Sequence, residues 1–251
     1  MNRRLKNWII RHLLRDWPRR RVRRIMDDAL ATRTCQGLFG GMRYVDRSIG
    51  SSYTPKLLGT YEQELVPVFE RLFAQDFEQF VDIGAAEGYY AVGAALKTAW
   101  PVTAFEANPQ TPLPQLAELN GVTGRIDLRG ACDLGELADL LAGKPDSLLL
   151  VDVEGAERLL LDPRFIPELR TATLVVEVHD CFLPGTGAVL LRRFADSHRA
   201  DRVDSVPRTG ADCPLQFPPL PFDPTVYALE YLNERRPSGM YWLVFTPTTD
   251  G

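Results

Sequence analysis

Cysteine is scarce in this 251-residue chain: Cys35, Cys132, Cys181 and Cys213 lie far apart and form no CxxC pair. That spacing argues against structural zinc and against a disulfide-stapled secreted scaffold, and it fits a reducing cytoplasm. Long apolar runs are also missing, none approaching the ~20 residues needed to span a bilayer. The N-terminus has neither the apolar core nor the small-residue cleavage site of a secretory signal. Histidine occurs only at His12, His179 and His198. What remains is ordinary for a globular protein, with 45% hydrophobic and 25% charged residues. A sizeable core is therefore expected, as one large α/β domain or one domain with a small accessory piece.

The net charge of -4 hides an asymmetry. Residues 1–24 carry ten Lys/Arg against one acid, and the other 227 residues carry nineteen against thirty-two acids. An acidic body argues against a broad nucleic-acid face, so no nucleic-acid partner is expected. Residues 1–24 read as a basic amphipathic segment. Leu5, Trp8, Ile9, Leu13 and Trp17 recur at helical spacing, with Arg4, Arg11 and Arg15 on another face. Pro18 is expected to end that helix before the Arg19–Arg24 run. Two roles are open to the segment. One is reversible contact with an acidic partner or an anionic surface, here peripheral contact at the inner membrane face. The other is packing on its own domain or on a homodimer mate, and this is favoured because such helices are common and unspecific.

Residues 25–77 are expected to form loops and a helix packed on the core. Within them 35–53 is rich in Gly and Ser, and a helix over 60–74 contains Pro67, which predicts a kink or break. From 78 to 251 the pattern is regular. Apolar runs at 79–84, 101–106, 125–130, 147–153 and 173–179 alternate with helical stretches near 88–98, 108–120, 133–142, 155–170 and 186–198. Continuous runs such as Leu148-Leu-Leu-Val151 suit parallel strands covered on both faces. Five βα repeats predict a doubly wound α/β sheet. Two further strands, at 201–206 and 241–246, would make seven. Between them lie a Pro-rich stretch, 207–224, and a helix near 225–235. Phe217 and Phe222 make that stretch a candidate lid, or a passive surface crossing.

Val81-Asp-Ile-Gly-Ala-Ala-Glu-Gly88 ends the first strand and opens a helix, where doubly wound sheets bind ligands. Gly84 permits a tight turn, Ala85 and Ala86 let a ligand approach the backbone, and Gly88 allows helix and sheet to meet closely. Ala86 breaks the GxGxxG pattern that cradles a dinucleotide pyrophosphate. The next strand ends in Glu106-Ala107-Asn108-Pro109, which brings an acid to a strand tip where a carboxylate accepts from ribose hydroxyls. Asn108 with Pro109 also reads as a helix cap. Ala131 and Cys132 follow the third strand; Asp133 beside them could bond an adenine amino group or cap the next helix. Most distinctive is Leu149-Leu-Val-Asp152-Val-Glu154-Gly-Ala-Glu157, three acids around one strand end.

Together, the first-strand motif extended through Tyr89-Tyr90-Ala-Val92 and the segment Leu148–Glu157 resemble the FkbM-type methyltransferases that use S-adenosylmethionine (SAM). The resemblance spans roughly the central hundred residues. It implies a class I, Rossmann-like methyltransferase fold and methyl transfer, usually to a hydroxyl oxygen of a sugar, polyketide or similar small molecule. It implies that Asp82, Gly84, Glu106 and Asp152 lie on the cofactor side, with Ala85, Ala107, Ala131 and Cys132 alongside. Gly59-Thr60-Tyr61-Glu62 resembles an element that places Tyr61 and Glu62 near the methionine end of SAM. The family often has Asn where Ala86 stands.

A hydroxyl acceptor needs a general base or a metal. Glu177 and His179 fall on one side of the fifth strand at the ligand edge, and His179 is the best base because its ordinary pKa lies near neutrality. Glu154 joins them as a catalytic candidate. Tyr89 and Tyr90 either line the pocket or pack the helix, Tyr90 more as core. His12 and His198 are expected on helices in structural roles. A divalent metal held by Asp152, Glu154, Glu177 and His179 is a less favoured alternative. Other functions remain in view: a nicotinamide-dependent oxidoreductase, a non-catalytic scaffold contacting a membrane or complex, or methylation of protein or RNA. The first lacks GxGxxG and the last lacks an Asn-Pro-Pro-Tyr motif.

Overall fold

The apolar runs become strands because each finds cover on both faces. The computed structural model describes residues 16–237 and 239–248. Its seven strands are β1 (Gln79–Ile83), β2 (Val102–Phe105), β3 (Ile126–Arg129), β4 (Ser147–Val151), β5 (Thr173–Val178), β6 (His198–Asp204) and β7 (Tyr241–Pro247). In β4, Leu148 and Leu150 enter one core while Leu149 and Val151 enter the other. This period-two alternation, apolar on both sides, is that of a strand buried between two helical layers.

The strands form one sheet in the order β3-β2-β1-β4-β5-β7-β6. β1 to β5 are mutually parallel, and β7 runs antiparallel between β5 and β6. The final strand pair is therefore present, and the fold is a Rossmann-like, doubly wound α/β sheet of seven strands. The chain reverses its order of strand addition between β1 and β4. Connections leaving these two strands diverge, and a crevice opens above their carboxyl ends.

Helix boundaries depart from the sequence pattern in instructive ways. The helix expected over 60–74 is a 3-10 turn at Gln63–Leu65 followed by α3 (Val66–Phe73). Pro67 lies in the first turn of α3, where a missing N–H costs nothing, so it starts a helix instead of kinking one. Asn108 caps no helix: its side chain accepts from the Gln110 N–H in a local turn, and α5 (Leu113–Leu119) begins only after Pro112. The stretch 155–170 reduces to α7 (Glu157–Leu160) and a 3-10 turn at Pro167–Arg170. His198 opens β6, because α8 ends earlier (Thr186–Phe194). The remaining layer helices, α4 (Tyr89–Lys97) and α6 (Leu134–Leu141), sit as expected.

The amphipathic helix read over residues 1–17 falls almost wholly outside the described residues, as does His12. The arginine run itself is helical: α1 (Trp17–Leu30) carries Pro18 in its first turn, so Pro18 opens this helix. Val22 and Met26 on α1 are buried against Leu58 of α2 (Tyr53–Leu58) and Ala228 and Leu232 of α9 (Thr225–Leu232). Leu215, Phe217 and Phe222 of the Pro-rich stretch lean on the same small core, and Phe222 meets Trp17 edge-on at 5.6 Å. Neither phenylalanine lines the crevice. The stretch braces α1 and α9, and is no lid. None of the described helices is long and apolar enough to cross a membrane.

Candidate functional site

Above the carboxyl ends of β1, β2, β4 and β5 lies a cavity of about 640 Å³, within the size range of ligand sites. At its floor Gly84 has φ +91°, and a Cβ there would stand 1.7 Å from the Asp152 carbonyl oxygen. The glycine is demanded by the backbone of the β4 end, so the β1 and β4 tips lock together. At Gly88 a Cβ would meet the Leu113 side chain of α5 at 2.7 Å; the close approach is between helices, not between helix and sheet as expected. Ala86 holds φ +48°, a conformation costly for a side chain with a Cβ. Two bonds pin it: its N–H donates to Glu106 Oε2 at 2.7 Å, and its carbonyl accepts from the Thr111 hydroxyl.

Glu106 Oε1 also accepts the Asn108 N–H at 2.7 Å. The carboxylate is thus fixed at the β2 tip, with a second lone pair on each oxygen for a ligand hydroxyl. Ala85, Ala107, Ala131 and Cys132 complete this end of the lining. Burial first, then Glu136 and Asp133, push the Cys132 thiol up to about 12, which leaves an uncharged wall. Asp133 is absent from the lining and caps α6, accepting the Glu136 N–H at 2.8 Å. Of its two expected roles it fills the cap.

The other end is crowded with carboxylates. Asp82 is buried with Oδ2 unpartnered, and burial, then Asp152 beside it, raises its pKa to about 8. Burial, then Glu62, raises Asp152 to about 6. Tyr61 and Glu62 line the same wall. Glu62 accepts from the Tyr90 hydroxyl and from Arg236, so Tyr90 serves core and cavity at once. Arg236 was not foreseen. It joins Glu62, Glu177 and Glu234, the last at 2.8 Å, and ties the segment before β7 to the β5 tip. No spacing in Glu234-Arg-Arg-Pro237 announces it. Equally unforeseen is Lys56, paired with the fully buried Glu87. Glu87 also accepts from the Tyr44 hydroxyl at 2.6 Å and the Ile49 N–H at 3.0 Å, so it fastens residues 44–56 across the first-strand motif.

Glu177 and His179 both face the cavity from the β5 end, as the sequence predicts, and Glu154 joins them from the turn after β4. His179 is 1% exposed. Its Nδ1–H donates to Glu157 Oε1 at 2.5 Å, and Glu157 in turn accepts the Gly155 N–H at 3.0 Å. Nε2 stands 3.6 Å from Asp152, 3.5 Å from Glu154 and 3.9 Å from Glu177. Burial opposes charge on the ring, but the Glu157 bond and the surrounding carboxylates outweigh it and raise its pKa. Phe182 stacks parallel to the imidazole at 5.6 Å. His198 lies elsewhere, bonded at 2.8 Å to Ser197 and to the Ala172 carbonyl, in the structural role expected of it. The ten cofactor-side candidates and the three catalytic candidates, His179, Glu177 and Glu154, all line this one cavity, whereas Asp133, Phe217 and Phe222 do not.

No family model matches the chain. No curated protein sequence matches it either. Among solved structures it is similar to a SAM-dependent O-methyltransferase from Thermotoga maritima (13% identity, 74% of this chain and 65% of that one, TM-score 0.47). It is also similar to a putative O-methyltransferase from Klebsiella pneumoniae (13% identity, 97% and 96% covered, TM-score 0.47). A third is an O-methyltransferase from Bacillus cereus in complex with SAH (12% identity, 96% of each chain, TM-score 0.46).

Proposed function

We propose that the chain is an FkbM-type, SAM-dependent methyltransferase that O-methylates a hydroxyl of a small molecule or sugar-type acceptor. The observation that carries this is the placing of Asp82, Glu106 and Asp152 at the tips of three neighbouring strands around the Gly84 turn. A pyrophosphate would be repelled by such a wall, whereas an adenosine bearing a cationic side chain suits it.

When bound, SAM supplies an activated methyl group on a sulfonium. Glu106 would hold its ribose hydroxyls, because the two backbone N–H bonds already fix the carboxylate. Asp82 would accept from its amino group, since a buried carboxylate oxygen without a partner calls for a cationic donor. Ala131 and Cys132 offer the adenine a flat uncharged wall, and Tyr61 with Glu62 closes the methionine end. The acceptor is then positioned in line and activated at the centre formed by His179, Glu177 and Glu154.

Calorimetry on the intact chain tests the cofactor. SAM and S-adenosylhomocysteine are expected to bind and NAD is not; Glu106→Gln should weaken SAM by ten- to a hundredfold, on the order of 1.4–3 kcal/mol. Binding of NAD without SAM would sink the reading. SAM-dependent methylation of a panel of hydroxylated acceptors, lost in His179→Ala with SAM binding retained, tests the chemistry and separates an enzyme from a scaffold.

A further inference from the structure

The cavity is lined by more carboxylates than cations, and several of them gather at its acceptor end. Among the lining residues carboxylates outnumber Lys and Arg seven to three, and Arg236 is already spent on Glu62, Glu177 and Glu234. Asp152 Oδ1 is a buried atom without a hydrogen-bond partner. His179 is buried, its Nδ1 committed to Glu157, and its Nε2 directed between Asp152 and Glu154 with no hydrogen bond among the described residues. One donor atom each from Asp152, Glu154 and His179 lies within 4.8 Å of the other two. Ligands about 2.1 Å from a shared ion are about 3–4 Å apart, so small side-chain movements would complete the set.

We infer that Asp152, Glu154 and His179 form a divalent-cation site of the Mg²⁺ or Mn²⁺ class, with positions left open for the acceptor's hydroxyl and water. Two details of the local backbone and side chains support it. Glu154 sits at φ +51°, the left-handed region that a non-glycine residue enters only at a cost, in the turn that brings its carboxylate to the cavity. Glu157, wholly buried behind His179, fixes which ring nitrogen faces the cavity, and a carboxylate behind a ligating imidazole is the usual way such a ring is oriented. Two carboxylates and one imidazole suit oxygen-preferring ions with a nitrogen ligand tolerated, Mn²⁺ best among common probes.

The inference deepens the proposed activity and rests on it for its role. A cation here would polarise the bound hydroxyl. The O–H bond breaks with its proton leaving to solvent, the oxygen bonds the methyl carbon, and the C–S electron pair departs on sulfur to leave S-adenosylhomocysteine. His179 is then a ligand, not the base that its chemistry first suggests.

Manganese binding to the chelator-treated full chain, read by loss of the free-ion electron paramagnetic resonance signal, tests the site without any turnover. One Mn²⁺ per chain is expected, displaced by excess Mg²⁺. Glu154→Gln should weaken it at least tenfold; its side chain is 66% exposed, so folding is not at stake. Glu157→Gln should weaken it by roughly ten- to a hundredfold, with unaltered far-ultraviolet dichroism as the control. Absence of Mn²⁺ binding at millimolar concentration, or equal affinity in wild type and Glu154→Gln, overturns the inference. SAM titrated into the same samples keeps the two ideas apart. SAM binding without Mn²⁺ removes only the cation site, and Mn²⁺ binding without SAM removes only the proposed cofactor.

Discussion

Ala86 and Glu87, neighbours in one turn, make opposite demands. Ala86 occupies a left-handed conformation that costs ~1–2 kcal/mol with a Cβ. Asn tolerates that region because its short polar side chain bonds locally. Ala86→Asn is therefore expected to raise the melting midpoint, by about 1 kcal/mol of stability, and an unchanged or lowered midpoint would contradict the strain. Glu87 is wholly buried beside Lys56. Burial works against its charge, but Lys56 and the bonds from Ser48 and Tyr44 prevail and hold its pKa below the ordinary carboxylate value. A group depressed in this way stabilises the fold fully above its unfolded pKa of about 4.3. That contribution is lost as pH falls through the lower folded value. Wild type should therefore lose stability below about pH 4. Glu87→Gln should be weaker at pH 7 by about 3–5 kcal/mol, since Lys56 is left buried and unpaired, yet show a flatter decline in acid. Parallel melting curves would refute this. Both residues were visible in the motif, but their roles were not. A turn's spacing says nothing of whether a carboxylate faces a ligand or a lysine thirty-one positions away.

Strands were legible because burial on both faces leaves a one-dimensional mark: an apolar run of fixed length bounded by turns. Helix ends were not, because Pro67, Pro18 and the Asn108–Thr111 turn are decided by local hydrogen bonds that compete with the helical period. The Pro-rich stretch shows the same limit. Its aromatics announce burial without saying against what, and they settle on α1 and α9, not over the cavity. Phe222→Ala should therefore lower thermal stability by about 1–3 kcal/mol, the half-buried ring losing its contacts with Trp17 and Tyr227. SAM affinity should stay within twofold. A tenfold loss of affinity with unchanged stability would restore the lid.

Across the whole molecule the basic and acidic parts of the sequence are joined more closely than their charge suggests. The cavity assembles residues from 49 to 242. Its acidic motifs were readable because they sit at strand tips; Lys56 comes from the short helix α2 and Arg236 from the irregular segment before β7, and both pair across the fold, which no local pattern records. The arginine-rich segment is likewise no detachable arm. Arg19 pairs with Glu230 at 2.7 Å, and Asp27 accepts from the Tyr231 hydroxyl at 2.9 Å. Val22 is fully buried beside Met26 on the α9 face, while Arg20, Arg21 and Arg24 stay exposed. Deleting residues 1–24 would thus remove a core side chain along with the charge. Burial of one valine alone is worth about 1.5–3 kcal/mol, so the truncated chain is expected to melt earlier by at least that amount and to expose the apolar faces of α2 and α9. A triple variant, Arg20→Gln with Arg21→Gln and Arg24→Gln, removes the charge and keeps the packing; its stability should lie within about 0.5 kcal/mol of wild type per site. If the truncation melts like wild type, α1 contributes nothing to the fold. If the triple variant is the one that unfolds, the arginine face is structural and not a solvated surface.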